Sequence, residues 1–176
     1  MPSFGLKDFN TFEKKLVIGV GAMEVSNAQG AILTTYSLGS CLGVAIYDPV
    51  ARAGGLLHAM LPDSSINPER AQERPAMFVD TGIAALFRAT YRLGAEKHRI
   101  QICVAGASQF MDDSGFFNIG QRNIKQLTEI LRRHELTIAA QEVGGFVSRT
   151  LQVNITTGEV HLKTSGQNSE TILHRS

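Results

Sequence analysis

The residue of this chain best suited to nucleophilic chemistry is Cys41, which directly follows a glycine-containing joint and heads an apolar run in LGSCLGVAIYD. A sulfur at the head of a strand sits at a sheet edge, where the backbone N–H groups of Ser40 and Cys41 are candidates to stabilise a developing oxyanion. A thiol is only a few per cent ionised at neutral pH, so it needs a base or a positive neighbour that favours the ionised form. His58, in LLHAML, supplies the base. The run from Cys41 turns at Asp48-Pro49 and returns through Gly54-Gly55, so antiparallel pairing brings His58 back beside Cys41. A third group must hold the imidazole, and Thr34, Thr35 and Ser37 lie just upstream with hydroxyls able to accept from its second nitrogen.

Each of these residues also has a packing explanation. Free cysteine is among the most buried residue types, and a lone histidine in an apolar strand is commonly a hydrogen-bonded core residue. The residue types and spacing leave both readings open. Other candidates are weaker. Cys103, inside IQICVAG with no local His or turn, reads as core. His98, His134, His161 and His174 share no ligand spacing, which argues against a zinc site. Asp112 and Asp113 leave the positions of a calcium loop unfilled. GVGAME has no helix after it and so is no phosphate loop. Phe110, Phe116 and Phe117 flank a glycine-containing loop and read either as core caps or as a docking surface.

Positioning these residues requires a sheet assembly. Segments 16–26, 31–37, 40–48 and 56–61 are rich in β-branched and apolar residues and read as strands, with turns between them. Segment 62–75 is polar, carries three prolines and has no period, so it reads as an exposed loop. Val79, Ile83, Leu86, Phe87 and Thr90 fall at helical spacing after Pro75 and before Gly94, which predicts a helix over 75–93. Segment 100–107 is a continuous apolar strand, and Ile124, Leu127, Ile130 and Leu131 mark a second helix over 119–134. Three more strands follow, at 137–143, 148–155 and 159–164. Strands, helix, strand, helix and strands in that order predict an α+β or layered α/β domain, a mixed, sandwich-like sheet core flanked by two to three helices.

One domain over 1–176 is expected, with 1–14 as an N-terminal arm and 165–176 as a polar C-terminal tail. Lys plus Arg number 17 against 16 for Asp plus Glu, so no basic field marks the chain for nucleic acid. The longest apolar runs are strand-sized and no apolar leader segment opens the chain, which predicts a cytoplasmic protein without membrane insertion. Two cysteines without metal spacing call for an explanation by packing or by chemistry.

The motifs resemble one family in particular. Thr35, the LGSC signature at 38–41, Asp48-Pro49, Gly54-Gly55, His58 and Leu61-Pro62 recur in order in the chemoreceptor glutamine deamidases of bacterial chemotaxis, the CheD family. Further matches are LGA at 93–95, AGAS at 105–108, NIGQRN at 118–123, EVGG at 142–145 and the Ser148-Arg149 pair. The likeness covers about residues 16–163, with Ala105-Gly106 where the family usually has a Gly-Gly pair and Arg74-Pro75 where a basic residue followed by Tyr is common. It implies a layered α/β fold akin to toxin-type cysteine deamidases. It also implies a cysteine-dependent deamidase that needs no cofactor or metal, with Cys41, His58 and Thr35 as the catalytic set. The implied partners are chemoreceptor cytoplasmic domains as substrate and, for some members, a CheC-type phosphatase. Two alternatives share part of this chemistry: a different cysteine amidohydrolase, such as a peptidase or a transglutaminase-like enzyme, and a domain whose main role is docking to the phosphatase.

Overall fold

In the computed structural model, which describes residues 12–109 and 118–176, the apolar runs form strands and the segments of helical period form helices. The first sheet holds β1 (Lys14–Val17), β3 (Ala31–Leu38), β8 (Arg149–Asn154), β9 (Val160–Thr164) and β10 (Thr171–His174), neighbours in that order. The second runs β2 (Ala22–Ser26), β5 (Ala53–Ala59), β4 (Leu42–Asp48), β6 (Gln101–Gly106) and β7 (Ala140–Val143). The helices are α1 (Pro68–Glu73), α2 (Val79–Tyr91) and α3 (Ile119–Arg133).

Burial along the strands reveals the layering. β8 alternates buried and half-buried residues, as a strand with one face on a core must. β4 and β5 are buried at every position. They belong to a middle layer. One of their faces packs with Leu33, Leu38, Leu151 and Val153 of the first sheet; the other packs with Ile83, Leu86, Leu127 and Leu131 of α2 and α3. The order of layers is sheet, sheet, helices. The predicted mixed-sheet α/β architecture is thus the observed one, and β6 is buried on both faces because it too lies in the middle layer.

Asp48 explains the turn that follows β4. Its Oδ1 accepts from the N–H groups of Val50 (2.9 Å) and Ala51 (3.1 Å), and its carboxylate receives Arg99 Nε and the Glu96 N–H. Burial pushes the Asp48 carboxyl up, but Arg99 and these three backbone donors more than offset that and hold it at about 2.

Four expectations are corrected. Segment 16–26 is two strands in different sheets, because the chain turns through Gly19 and Gly21, the latter at φ +69°. The 62–75 loop contains a short helix, α1, capped by Asn67 and begun by Pro68. The polar tail 165–176 carries β10, which pairs antiparallel with β9. The arm 1–14 overlaps β1, which starts at Lys14 and pairs parallel with β3; residues 1–11 lie outside the described residues. So do Phe110, Asp112, Asp113, Phe116 and Phe117.

Candidate active site

The strand reading places Cys41 where the chain leaves one sheet for the other. β3 ends at Leu38 in the first sheet and β4 begins at Leu42 in the second, so Gly39, Ser40 and Cys41 form the crossing. The backbone is bent to make it: Ser37 has φ +56°, and the β3–β8 register shifts between Thr35 and Leu38. Among the described residues, the backbone N–H groups of Gly39, Ser40 and Cys41 have no backbone acceptor.

Antiparallel pairing of β4 with β5 sets Gly43 opposite His58 and Leu42 opposite Ala59. Cys41 lies two residues before Gly43 and therefore shares the face of β4 that His58 occupies on β5. That face looks between the sheets. Cys41 is half-buried against the apolar cluster there, and His58 is 1% exposed.

From the opposite sheet, fully buried Thr35 meets the imidazole. Its Oγ1 lies 2.7 Å from His58 Nδ1 and 2.7 Å from the Ile18 carbonyl oxygen. A hydroxyl has one proton. Since the Ile18 carbonyl can only accept, the Thr35 hydroxyl donates to it and receives the proton of His58 Nδ1. The neutral ring therefore carries its proton on Nδ1, leaving a lone pair on Nε2, which is buried without a partner among the described residues. Thr34 points the other way and donates to Gln152 Oε1 at 3.1 Å. Of the three hydroxyls upstream, Thr35 is the one that reaches the ring.

Desolvation decides the resting charge. Burial pushes the Cys41 thiol up, opposed in part by its own backbone N–H, and pushes His58 down to about 4. Both shifts favour a neutral thiol and a neutral imidazole over the ionised pair expected from residue types alone, and no hydrogen bond joins Cys41 Sγ to His58 Nε2. A neutral thiol acting as a nucleophile would have to give up its proton as it attacked. Cys103 is 1% exposed and burial pushes its thiol up to about 12, as suits a core residue.

Several motifs converge on the crossing in ways that spacing did not indicate. The Ala107 N–H donates to the Cys41 carbonyl (2.8 Å) and the Ser108 N–H to the Gly39 carbonyl (2.9 Å). Gly106, at φ +102°, allows this approach, since a Cβ there would collide with the Cys41 carbonyl oxygen. Arg149, 5% exposed, donates to the Gly144 carbonyl (2.8 Å) and to Ser108 Oγ (3.1 Å), tying the AGAS segment to the EVGG loop. On α3, Gly120 brings the helix against the Ala107 and Ser108 carbonyls. Three residues on, fully buried Asn123 donates from Nδ2 to the Ser40 carbonyl (3.0 Å) and the Met60 carbonyl (3.1 Å). A polar residue on the helix stripe of Ile124, Leu127 and Leu131 was the signal available for it. Arg74, at one of the departures from the family pattern, donates to the Val20 carbonyl at 3.1 Å, beside Gly21, whose N–H bonds the His58 carbonyl.

Residues 60–164 match the family described as CheD chemotactic sensory transduction. The chain is 45% identical to a probable chemoreceptor glutamine deamidase CheD 1 of Syntrophus aciditrophicus, over 86% of this chain and 94% of the relative. This chain belongs to the CheD family. A second CheD relative, a probable chemoreceptor glutamine deamidase of Solibacter usitatus, is 41% identical over 90% of this chain and 94% of its own length. Among solved structures, the YfiH protein of Bacillus licheniformis is similar with a TM-score of 0.42 and 15% identity, over 70% of this chain and 49% of that one. No helix among the described residues of this CheD-family chain is long and apolar enough to cross a membrane. Nor do the described residues include a cluster of three or more His, Cys, Asp or Glu side chains suited to hold a metal ion.

Proposed function

We propose that this chain is a cysteine-dependent protein-glutamine deamidase acting on the cytoplasmic domains of chemoreceptors. Cys41 Sγ attacks the side-chain carboxamide carbon of a receptor glutamine while the thiol proton passes to His58 Nε2. The oxyanion lies against the N–H groups of Ser40 and Cys41, which have no backbone acceptor among the described residues. His58 Nε2 returns its proton to the amide nitrogen, and ammonia leaves as the tetrahedral intermediate collapses to a thioester. A water molecule then gives its proton to Nε2 and attacks the thioester carbon, and the sulfur leaves with that proton. The product is glutamate on an uncut chain.

The observation that carries this reading is the Thr35 contact to His58 Nδ1, 2.7 Å, which leaves the Nε2 lone pair to accept a proton. The family supports the substrate class, since the relatives' names are those of chemoreceptor glutamine deamidases. A receptor's cytoplasmic domain as substrate sets the reaction in the cytoplasm. A CheC-type phosphatase belongs to the proposal as a regulatory partner, tested by co-purification with the Cys41→Ala variant. The decisive experiment incubates the protein with receptor cytoplasmic fragments and maps amide-to-acid mass changes by peptide. Conversion at defined glutamines, absent with Cys41→Ala, is the expected result. Chain cleavage, or conversion that survives Cys41→Ala, would sink the proposal.

A further inference from the structure

We propose that Asn123 is a positioning residue that aims the Cys41 N–H at the substrate's developing oxyanion. The inference rests on the reading of Cys41 as nucleophile and adds the means by which its oxyanion site is held open.

The β4–β5 ladder ends with Leu42 opposite Ala59. The next rung would join Cys41 to Met60, but the chain there is bending toward the other sheet. Asn123 stands in for part of that missing rung. Its Nδ2 donates to both the Ser40 and Met60 carbonyls, so one amide joins the strand end that carries the nucleophile to the strand end that carries the base. Two carbonyl acceptors also fix which end of the amide faces them: only the nitrogen has protons to give. Asn123 Oδ1 is left buried without a partner among the described residues, a cost that a residue serving packing alone would not carry.

The consequence follows from peptide geometry. The Ser40–Cys41 peptide is trans, so its C=O and N–H point in opposite directions. Asn123 comes from α3, on the helix side of the middle sheet, and draws the Ser40 carbonyl toward that side. The Cys41 N–H is thereby turned away from Asn123, and the proposal places it on the side of the Cys41 and His58 side chains, which lie between the sheets. The Ala107 N–H holds the Cys41 carbonyl at 2.8 Å, so both flanking carbonyls of the nucleophile are tethered, while its N–H has no backbone acceptor among the described residues.

The test separates orientation of the N–H from general support of the thiol. Alkylation by iodoacetamide is a direct displacement at carbon and forms no oxyanion, whereas deamidation passes through one. Asn123→Leu and Asn123→Met both remove the two donors, and each is assayed once thermal melting shows it folded. The expected result is a fall in kcat for deamidation of a receptor fragment of about 10- to 100-fold, with KM and the Cys41 alkylation rate unchanged. Wild-type kcat in a folded variant overturns the proposal. A parallel fall in kcat and alkylation also overturns it, since that is the signature of a disturbed thiol. If neither variant folds, the unaltered chain decides the matter. Adding a glutamine-like peptide aldehyde forms a hemithioacetal on Cys41, and the Cys41 amide proton must then move downfield in the NMR spectrum; an unmoved amide refutes the role. Deamidation that survives Cys41→Ala is a different outcome, which removes the nucleophile reading beneath the inference.

Discussion

Thr35→Val removes one oxygen-borne proton and keeps the shape of the side chain. Thr35 is 0% exposed, and its hydroxyl joins two groups at 2.7 Å each, the Ile18 carbonyl and His58 Nδ1. Valine leaves both without that partner in a buried site. An unsatisfied buried group costs about 1–3 kcal/mol, so the folded state should lose roughly 2–4 kcal/mol after partial relaxation. Activity suffers for a separate reason. With no acceptor at Nδ1, the ring proton is no longer held there, and the tautomer with the proton on Nε2 cannot take the thiol proton. Losing one positioning hydrogen bond of roughly 1–3 kcal/mol slows turnover roughly 5- to 150-fold.

Three measurements check this reasoning. Thermal or urea unfolding gives the stability loss, turnover on a receptor fragment gives the rate loss, and nitrogen chemical shifts of labelled histidine report the tautomer. Wild-type His58 should carry its proton on Nδ1, and Thr35→Val should shift population to Nε2. Thr34→Val is the control, because Thr34 bonds Gln152 on the far face of β3. A folded Thr35→Val enzyme with wild-type turnover, or a tautomer that does not change, would refute the assignment.

Cys41→Ala should abolish deamidation with little loss of stability, whereas Cys103→Ala should keep turnover and cost about 1 kcal/mol or somewhat more, as methyl-sized core deletions do; unfolding curves and turnover of both variants decide it. Alkylation should be faster at Cys41 than at Cys103, whose thiol is held up at about 12 by burial, and the Cys41 rate should keep rising above neutral pH, because burial raises that thiol also. A Cys41 rate already level at acid pH would indicate a preformed thiolate. Stability should also depend on His58: its folded pKa of about 4 lies below the ordinary 6.5, so its contribution is complete above about pH 6.5 and is lost as pH falls toward 4. The loss is about 3 kcal/mol, and denaturant titrations of His58→Gln should lack that component.

Much of the site was legible because its logic is local. His58 sits on β5 and Cys41 one residue before β4, two strands joined by a single turn, and hairpin pairing fixes the face they share once the strands are recognised. The reading of Thr35 needed more: alternation shows that Thr34 and Thr35 face opposite sides, and only the family likeness chose between them. Long-range partners were the hidden part. Arg149 reaches the AGAS segment across 41 residues and Asn123 reaches Ser40 across 83, and no periodicity announces which buried polar residue will meet which backbone carbonyl. The balance of charge at the site was hidden for a related reason. Residue types suggest that a histidine ionises a neighbouring thiol, but burial disfavours both charges, and burial depends on the middle-layer position of β5.

That middle layer also bears on how a neutral pair could serve as a reactive one in the proposed mechanism. β4 and β5 are covered by a sheet on one face and helices on the other, so water competes little with Thr35 for His58 Nδ1. Low dielectric raises the cost of separating thiol and imidazole charges at rest, and it equally strengthens fixed N–H dipoles aimed at an oxyanion. In the proposed mechanism the same burial would keep Cys41 quiescent without substrate and favour the proton transfer once a carbonyl oxygen arrived to receive the charge. A solvated Cys-His pair would be ionised more often and stabilise the transition state less. The crossing between sheets is where both conditions meet: burial there favours the neutral pair, and the break in the ladders leaves the N–H groups of Ser40 and Cys41 without a backbone acceptor among the described residues.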